Sequence, residues 1–184
     1  PLKSYGYHDR KKADYQGFWR RFDLYHDFPE MAGRNVVAYF NFDNAPSNEL
    51  TLKVALSAVS TEGALRNLHA EAAGKDFDEL CEQTRQQWDD ELAAIECEGT
   101  DSQKQMLYTS LYHTMINPSI YMDTDRRYRG LDGNVHVAEG FDNYTIFSLW
   151  DTYRALHPLL ALLKPRQNTD MVRSLLAHQQ QSVH

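Results

Sequence analysis

The spacing of apolar residues changes along the chain, and this change limits the folds that the chain can adopt. Residues 50–57 alternate between apolar and polar types, so one face of a β-strand would carry Leu50, Leu52, Val54 and Leu56. Residues 17–25 and 34–42 are further strand candidates, and the turn-forming stretch 43–48 follows the second of them. The first 60 residues therefore predict antiparallel β-structure, whose apolar face needs a second layer to cover it.

From residue 76 onward the apolar residues recur at helical spacing instead. One helix is predicted over 76–95, with its first residue as the N-cap and with Cys81 on its apolar face as a buried free thiol. A second helix is predicted over 102–117. His113 on this helix either reaches a site or, as the better alternative, is a hydrogen-bonded core residue.

Two more helices are predicted near the end of the chain. The first begins with Ser148 as its N-cap and continues to about Leu163, with Pro158 as a kink or an early stop. Thr169 is the predicted N-cap of the second helix. Successive helices joined by short loops are typical of a helical bundle or an α/α toroid.

Three acidic residues lie close together before and within a predicted β-hairpin. The hairpin covers 128–136, and Asp132 with Gly133 forms its turn. Asp123, Asp125 and Asp132 raise the possibility of calcium, but their spacing does not match the EF-hand loop. We therefore interpret them as turn formers or salt-bridge partners.

Composition excludes several classes of function. A net charge of −7 and a pI near 5.6 argue against nucleic-acid binding, because no basic stripe offsets the phosphate repulsion. Two cysteines, Cys81 and Cys97, do not make a disulfide framework, and their spacing matches no zinc signature. No apolar run approaches the length of a membrane span, and no signal peptide is visible.

The stretch 139–157 carries the most concentrated chemistry of the chain, with aromatic, acidic and basic residues in one run. Trp150 and Asp151 fall in the first turn of the helix that begins after Ser148. A flat ring beside a fixed carboxylate suits a sugar, since the ring covers the C–H face and the carboxylate accepts from hydroxyls. The alternative is a buried tryptophan and a capping-box aspartate, and the residue types alone leave both open.

Five blocks of sequence help to choose between a sugar site and a structural role for Trp150 and Asp151. In chain order they are FPEMAG (28–33), VSTEGAL (59–65), YTSLYH (108–113), YMDTDRRYRGLD (121–132) and AEGFDNYTIFSLWDTYRALHP (138–158). Together they resemble the hallmark blocks of the glycoside hydrolase family 92 α-mannosidases. The resemblance covers nearly the whole chain but not the whole family enzyme, which is several times longer. The chain is therefore expected to be an internal piece of such an enzyme.

The resemblance implies an α+β architecture with three parts. Residues 1–74 would be the C-terminal part of the N-terminal β-sandwich domain, and 75–101 a helical linker. Residues 102–184 would be the first helices of an incomplete (α/α)6 catalytic barrel. The rest of the parent enzyme would then complete both domains.

The resemblance also implies a reaction. The family consists of calcium-dependent, inverting, exo-acting α-mannosidases that release mannose from mannose-rich N-glycans. Its catalytic acid, catalytic base and main calcium ligands lie beyond the end of this chain, so no catalytic or metal-binding residue is assigned here, and the chain alone is expected to be inactive. Trp150 and Asp151 resemble an element of the terminal mannose subsite. Arg154 would orient Asp151 or cap a neighbouring carboxylate, and Phe141 is a weaker candidate for substrate binding.

Two other functions remain open at this stage. The chain could be a non-catalytic carbohydrate-binding module, or it could belong to a different α/α-barrel glycoside hydrolase or phosphorylase, because such architectures recur with different sugar chemistries. The expected partners are a mannose-containing glycan and the rest of the parent enzyme. A periplasmic or secreted location is expected, because the family's substrate is an external glycan.

Overall fold

The structure, a computed structural model, describes residues 2–9, 36–42 and 49–182. The chain divides into two compact units, Pro1–Leu52 and Lys53–His184. Three features of the sequence lie outside the described residues: the strand candidate at 17–25, the block at 28–33 and the turn at 43–48.

The first unit contains an antiparallel pair of strands, β1 (Leu2–Asp9) and β2 (Val36–Phe42). Tyr5 lies opposite Phe40 in the pairing, and the register shifts between Leu2 and Ser4. Strand β2 confirms the strand predicted at 34–42. Antiparallel pairing also agrees with the general prediction for this part of the chain.

The predicted strand at 50–57 is wrong for the structure described here. These residues form neither a strand nor a helix, and the four alternating apolar side chains are between 60% and 84% exposed. Alternation supplies an apolar face, but a strand also needs a neighbour that accepts and donates its backbone hydrogen bonds. Among the described residues, no segment pairs with 50–57.

The second unit begins with a helix that the sequence analysis missed, α1 (Thr61–Ala72). It lies within the range expected to be β-sandwich. Its N-cap is Ser60, whose hydroxyl accepts from the Gly63 N–H at 3.0 Å. A serine cap followed by residues that favour helices is the sequence signal from which α1 could have been predicted.

Helix α2 (Phe77–Leu92) confirms the helix predicted after Asp76. Asp76 and Glu79 form a reciprocal capping box, with N···O distances of 2.8 and 2.9 Å. The expected burial of Cys81 is wrong, because the thiol is exposed and α2 has no buried residue. Only one end of the apolar face is covered within the described chain, where Trp88 meets the next helix.

Helix α3 (Asp101–Met115) confirms the next predicted helix and begins with a capping box between Thr100 and Gln103. The Trp88 ring of α2 packs edge-on against Tyr112, with ring centres 4.6 Å apart. His113 is exposed, which corrects the expectation of a core histidine. Leu111, two residues earlier, is the buried residue of α3, so His113 falls on the opposite side.

A short β-hairpin follows, made of β3 (Arg127–Arg129) and β4 (Val135–Val137). The predicted turn is confirmed, because Gly133 has a φ of +77°, a conformation that glycine adopts without strain. The Asn134 N–H and side-chain amide both donate to the Asp132 carboxylate, which stabilises the turn.

The helix predicted over 148–163, with a kink or an early stop at Pro158, is interrupted three residues earlier and forms two helices, α4 (Leu149–Thr152) and α5 (Leu156–Leu163). Pro158 explains the interruption, since its ring would clash with the carbonyl of Arg154 in a continuous helix. Starting α5 at Leu156 places Pro158 in the first turn, where its missing N–H has no helical acceptor to lose. Ser148 is the N-cap residue of α4, but its side chain makes no capping hydrogen bond.

The last helix, α6 (Pro165–Gln181), begins earlier than predicted. Pro165 is its first residue, a position that proline favours because its φ is already helical. Thr169 is therefore inside the helix and not its cap, and its hydroxyl donates to the Pro165 carbonyl at 2.8 Å. Helix α6 packs against α5 and covers the core of this unit, which consists of Tyr144, Phe147, Leu156, Leu160, Met171 and Leu175.

No described helix is long and apolar enough to cross a membrane.

Candidate functional site

The candidate site is carried by residues 138–148, named here the site loop, and by the short helix α4 that follows. Phe141 lies on the loop, and Trp150 and Asp151 lie on α4. These predicted site residues are thus close in sequence, with Arg154 two residues after the end of α4. The loop has no regular secondary structure beyond a single bridge between Tyr144 and Ile120, so other elements must fix its path.

Helix α6 holds the site loop from one side. The Arg173 guanidinium donates to the Gly140 carbonyl at 2.7 Å. The fully buried Ser174 hydroxyl accepts from the Tyr144 N–H at 2.9 Å, and it lies 2.8 Å from the Asp170 carbonyl and 3.3 Å from the Asp142 carbonyl. One serine thus satisfies backbone groups of both the helix and the loop.

The segment before the β3–β4 hairpin holds the loop from the other side. The Tyr121 N–H donates to the Asn143 carbonyl at 2.7 Å, and the Asn143 side-chain amide donates to the Tyr121 carbonyl at 2.8 Å. Arg126 donates to the carbonyls of Ala138 and Phe141 and to the Asp142 carboxylate. The sequence analysis missed Arg126, Arg173 and Ser174 as contributors, and no local motif marks them, because each contact joins distant parts of the chain.

Trp150 is 72% exposed, so the described part of the chain does not bury it. The guanidinium carbon of Arg154 lies 5.3 Å from the centre of the Trp150 ring and 5.6 Å from that of Tyr153. This stacking is the cation–π arrangement that a planar, weakly hydrated guanidinium favours. The arginine covers part of the indole and leaves most of the ring open to a ligand.

Asp151 is exposed and follows Trp150 directly in sequence, so both side chains of this pair are open to solvent among the described residues. Arg154 takes neither of the two roles expected for it. Within the described part of the chain it makes no ion pair with Asp151 or with any other carboxylate. It stacks on the rings of Trp150 and Tyr153 instead, because those rings lie within its reach on the same side of α4.

Comparison with known proteins identifies the family. The model of the Glycosyl hydrolase family 92 catalytic domain matches residues 63–184, which is well over half of the chain. The chain belongs to glycosyl hydrolase family 92. The family resemblance found in the sequence blocks is therefore confirmed.

Solved structures of the same family match as well. A family GH92 α-mannosidase from Bacteroides thetaiotaomicron is 46% identical, with a TM-score of 0.66 over 69% of this chain and 17% of that chain, both alone and in complex with mannoimidazole. The GH92 glycosyl hydrolase ccman5 is 26% identical, with a TM-score of 0.75 over 96% of this chain and 22% of that chain. This family 92 chain thus spans about a fifth of the length of these relatives. No curated protein matches it.

The three acidic residues near the hairpin have structural partners. Asp125 pairs with Arg66 and Arg127, both at 2.8 Å, and the hydrogen bonds from Arg127 lower the pKa of its carboxyl group. The Asn134 N–H, with smaller contributions from the Asn134 side chain and His136, lowers the pKa of Asp132. For these two residues the interpretation as turn formers and salt-bridge partners is confirmed.

Asp123 is different, because only 4% of its surface is exposed. Its carboxylate accepts from the Ser57 hydroxyl at 2.7 Å and from the Asn67 amide at 3.0 Å. Asn67 in turn accepts from the Thr124 N–H at 2.9 Å. These bonds join α1 to the segment before the hairpin, so the role of Asp123 in this family 92 fold is structural.

Calcium is the cofactor expected from the family. Among the described residues, no group of three or more His, Cys, Asp and Glu side chains is arranged to hold a metal ion. Calcium in proteins takes six to eight oxygen ligands, several of them carboxylates.

A concavity of about 220 Å³ has no residue of α4 in its lining. Residues from α2, from 114–120, from the site loop and from α5 and α6 line it, among them Trp88, Glu91 and Tyr144. Burial raises the pKa of the Tyr144 phenol, and the negative charges of Asp142, Asp170 and Glu91 add to the effect. The sequence analysis did not find this cleft, because its walls come from five separate segments.

Proposed function

We propose that this chain is part of an α-mannosidase, a glycoside hydrolase that releases mannose from α-mannosides. Family membership and the 46% identical α-mannosidase support the reaction class. The single structural observation in favour of a sugar site is the pair formed by the open Trp150 ring and the adjacent Asp151 carboxylate. We call the longer polypeptide of this proposal the parent enzyme.

In this proposal α4 and the site loop form part of the terminal mannose subsite. The Trp150 indole packs against the C–H face of the sugar, and Asp151 accepts hydrogen bonds from sugar hydroxyls. Arg154 keeps the indole in place by stacking on it, and Phe141 borders the subsite from the loop. Charged hydrogen bonds of the Asp151 type contribute more than neutral ones, because the acceptor carries a full charge.

The parent enzyme is further proposed to be exo-acting and inverting, with mannose-rich N-glycans as substrate. Inversion requires an acid that protonates the leaving oxygen and a base that activates water on the opposite face, with carboxyl groups roughly 6.5–9.5 Å apart. Both groups, and the calcium ligands, are assigned to regions outside this chain. A periplasmic or secreted location follows from an external glycan substrate.

The proposed domain organisation places 1–74 in a β-sandwich, 75–101 in a linker and 102–184 at the start of an (α/α)6 barrel. Helix α2 falls inside the proposed linker, and α3 to α6 fall inside the proposed barrel apart from the first residue of α3, which supports this division. Helix α1 and the unpaired segment 50–57 show that the first part is not β-structure throughout.

The test is hydrolysis of an aryl α-mannoside by the parent enzyme and, separately, by the 184-residue chain, both in the presence of calcium. We expect turnover of the α-mannoside by the parent enzyme, none of the aryl β-mannoside, and none of either substrate by the chain alone. Turnover by the chain alone would contradict the assignment of acid and base to other regions. Failure of the parent enzyme on every α-mannoside, with saturable mannose binding by the chain, would favour a carbohydrate-binding module.

A further inference from the structure

Arg126 has an unusual backbone conformation for its residue type. Its φ is +69°, and it is the one non-glycine residue with positive φ in the part of the chain that the structure describes. The left-handed region is sterically unfavourable for any residue that has a Cβ, and such residues cluster at functional sites, where their surroundings compensate the strain. The contacts of Arg126 show what this compensation is.

The Arg126 side chain binds one segment of the site loop at three points. Its Nε donates to the Ala138 carbonyl at 2.8 Å, one terminal nitrogen donates to the Asp142 carboxylate at 3.2 Å, and the other donates to the Phe141 carbonyl. Its own backbone carbonyl accepts from the Ala138 N–H at 2.9 Å. The fixed fork of donors in a guanidinium is suited to holding several acceptors in one geometry.

We infer that Arg126 is a positioning residue for the mannose subsite, and this inference rests on the function proposed above. By holding Ala138, Phe141 and Asp142, it sets the start of the site loop, which leads through Ser148 into α4. Arg173 and Ser174 hold the loop against α6, and on the opposite side Arg126 holds its start while the Tyr121–Asn143 hydrogen bonds hold its middle. Without it, two carbonyls and a half-buried carboxylate lose their donors, so the start of the loop, 138–142, loses these restraints while the bonds to Asn143 and Tyr144 remain.

The chain offers a matched control for this inference. Arg129, three residues later, also donates to three backbone carbonyls, those of Ala58 at 2.7 Å, Val59 at 3.0 Å and Gly133 at 2.8 Å. None of these acceptors belongs to the site loop. Arg129→Asn therefore removes an equally well-bonded guanidinium from the same hairpin without releasing the loop.

The experiment compares wild type, Arg126→Asn, Arg126→Lys and Arg129→Asn in the parent enzyme. Asparagine tolerates the left-handed region, so Arg126→Asn removes the guanidinium and keeps the backbone conformation. We measure kcat and KM on an aryl α-mannoside, and hydrogen exchange of the amides in 138–142. A displacement of the subsite by a fraction of an ångström is expected to lower kcat/KM on the order of tenfold.

The expected result is a higher KM and faster exchange in 138–142 for Arg126→Asn, partial recovery with Arg126→Lys, and wild-type KM for Arg129→Asn. Wild-type kcat and KM in a folded Arg126→Asn enzyme would overturn the inference and leave the proposed function intact. If Arg126→Asn does not fold, Arg126→Lys serves as the test. Faster hydrogen exchange in 138–142 together with a wild-type KM in that variant would overturn the inference equally. Absence of α-mannoside turnover in wild type would instead overturn the proposed function.

Discussion

The guanidinium of Arg154 lies over the indole ring of Trp150, with 5.3 Å between the guanidinium carbon and the ring centre. The two residues are four positions apart, on either side of the end of α4. An exposed tryptophan side chain ordinarily has freedom to change rotamer, and the stacked guanidinium reduces that freedom. A ring that is already oriented loses less conformational entropy when a ligand binds.

The stacking makes a quantitative prediction for Arg154→Ala in the parent enzyme. An exposed cation–π contact contributes about 0.5–1 kcal/mol, so KM on an aryl α-mannoside should rise by roughly two- to fivefold. Trp150→Ala should raise it further, because the ring itself is lost. Arg166→Ala is the control, since that guanidinium is largely exposed and lies on α6, and its KM should equal that of wild type. An unchanged KM for Arg154→Ala would contradict this role.

The close approach of α1 to Asp123 predicts that Gly63 tolerates no side chain. A Cβ at Gly63 would lie 2.3 Å from the Asp123 carboxylate and 2.6 Å from the Ser57 hydroxyl. Gly63→Ala should lower the free energy of unfolding by about 1–3 kcal/mol, the range for overpacking, as measured by urea unfolding. For Gly99→Ala the nearest atom is the end of the flexible Gln103 side chain at 3.0 Å, so the loss should be smaller. Equal losses would show that the contact with Asp123 is not responsible.

Ser174 joins α6 to the site loop, and Ser174→Ala should destabilise the chain. The substitution leaves the buried Tyr144 N–H without its acceptor, which costs about 1–3 kcal/mol. Ser110→Ala is the matched control, because the exposed Ser110 hydroxyl donates only to the Met106 carbonyl of its own helix. Urea unfolding of both variants measures the difference. A Ser174 variant as stable as the Ser110 variant would mean that another group satisfies Tyr144.

His178 predicts a pH dependence of stability. It is buried on α6, and burial lowers its pKa below the ordinary value of 6.5. Between 6.5 and the lower folded-state pKa, the unfolded chain binds more protons than the folded one, so stability falls as pH decreases through this window. His178→Gln should remove this part of the dependence in urea unfolding at pH 7.5 and 5.5. His69→Gln, at an exposed position, should retain it, and parallel behaviour of the two variants would contradict the assignment.

Local chemistry made α2, α3 and the hairpin predictable, although the local Ser60 cap of α1 was missed and Thr169 was wrongly predicted as a cap. Helices α2 and α3 begin at capping boxes whose partners are three residues apart, and the β3–β4 hairpin turns at an Asp-Gly pair. All of these interactions form within a few residues, so they depend little on the rest of the fold. The interruption predicted at Pro158 also follows from the chemistry of one residue, although it falls just before Leu156 and not at the proline itself.

Burial and long-range contacts were not predictable in the same way. The apolar positions of Cys81 and of 50–57 mark faces that a neighbour covers only if one is present, and none is in the described part of the chain. Trp150 and Asp151 were named as candidates because they are adjacent in sequence and stand in one of the family's sequence blocks. Arg126, Arg173 and Ser174 were missed because they reach the site loop from positions between 12 and 33 residues away.

The most direct test of the account is the affinity of the parent enzyme for mannoimidazole, measured by titration calorimetry for wild type and Asp151→Asn. Loss of a charged hydrogen bond of about 1.5–3 kcal/mol should weaken binding roughly 10- to 150-fold. Asp132→Asn, in the hairpin turn, should bind as wild type does. Wild-type affinity in the Asp151 variant would contradict the claim that α4 forms part of the mannose subsite.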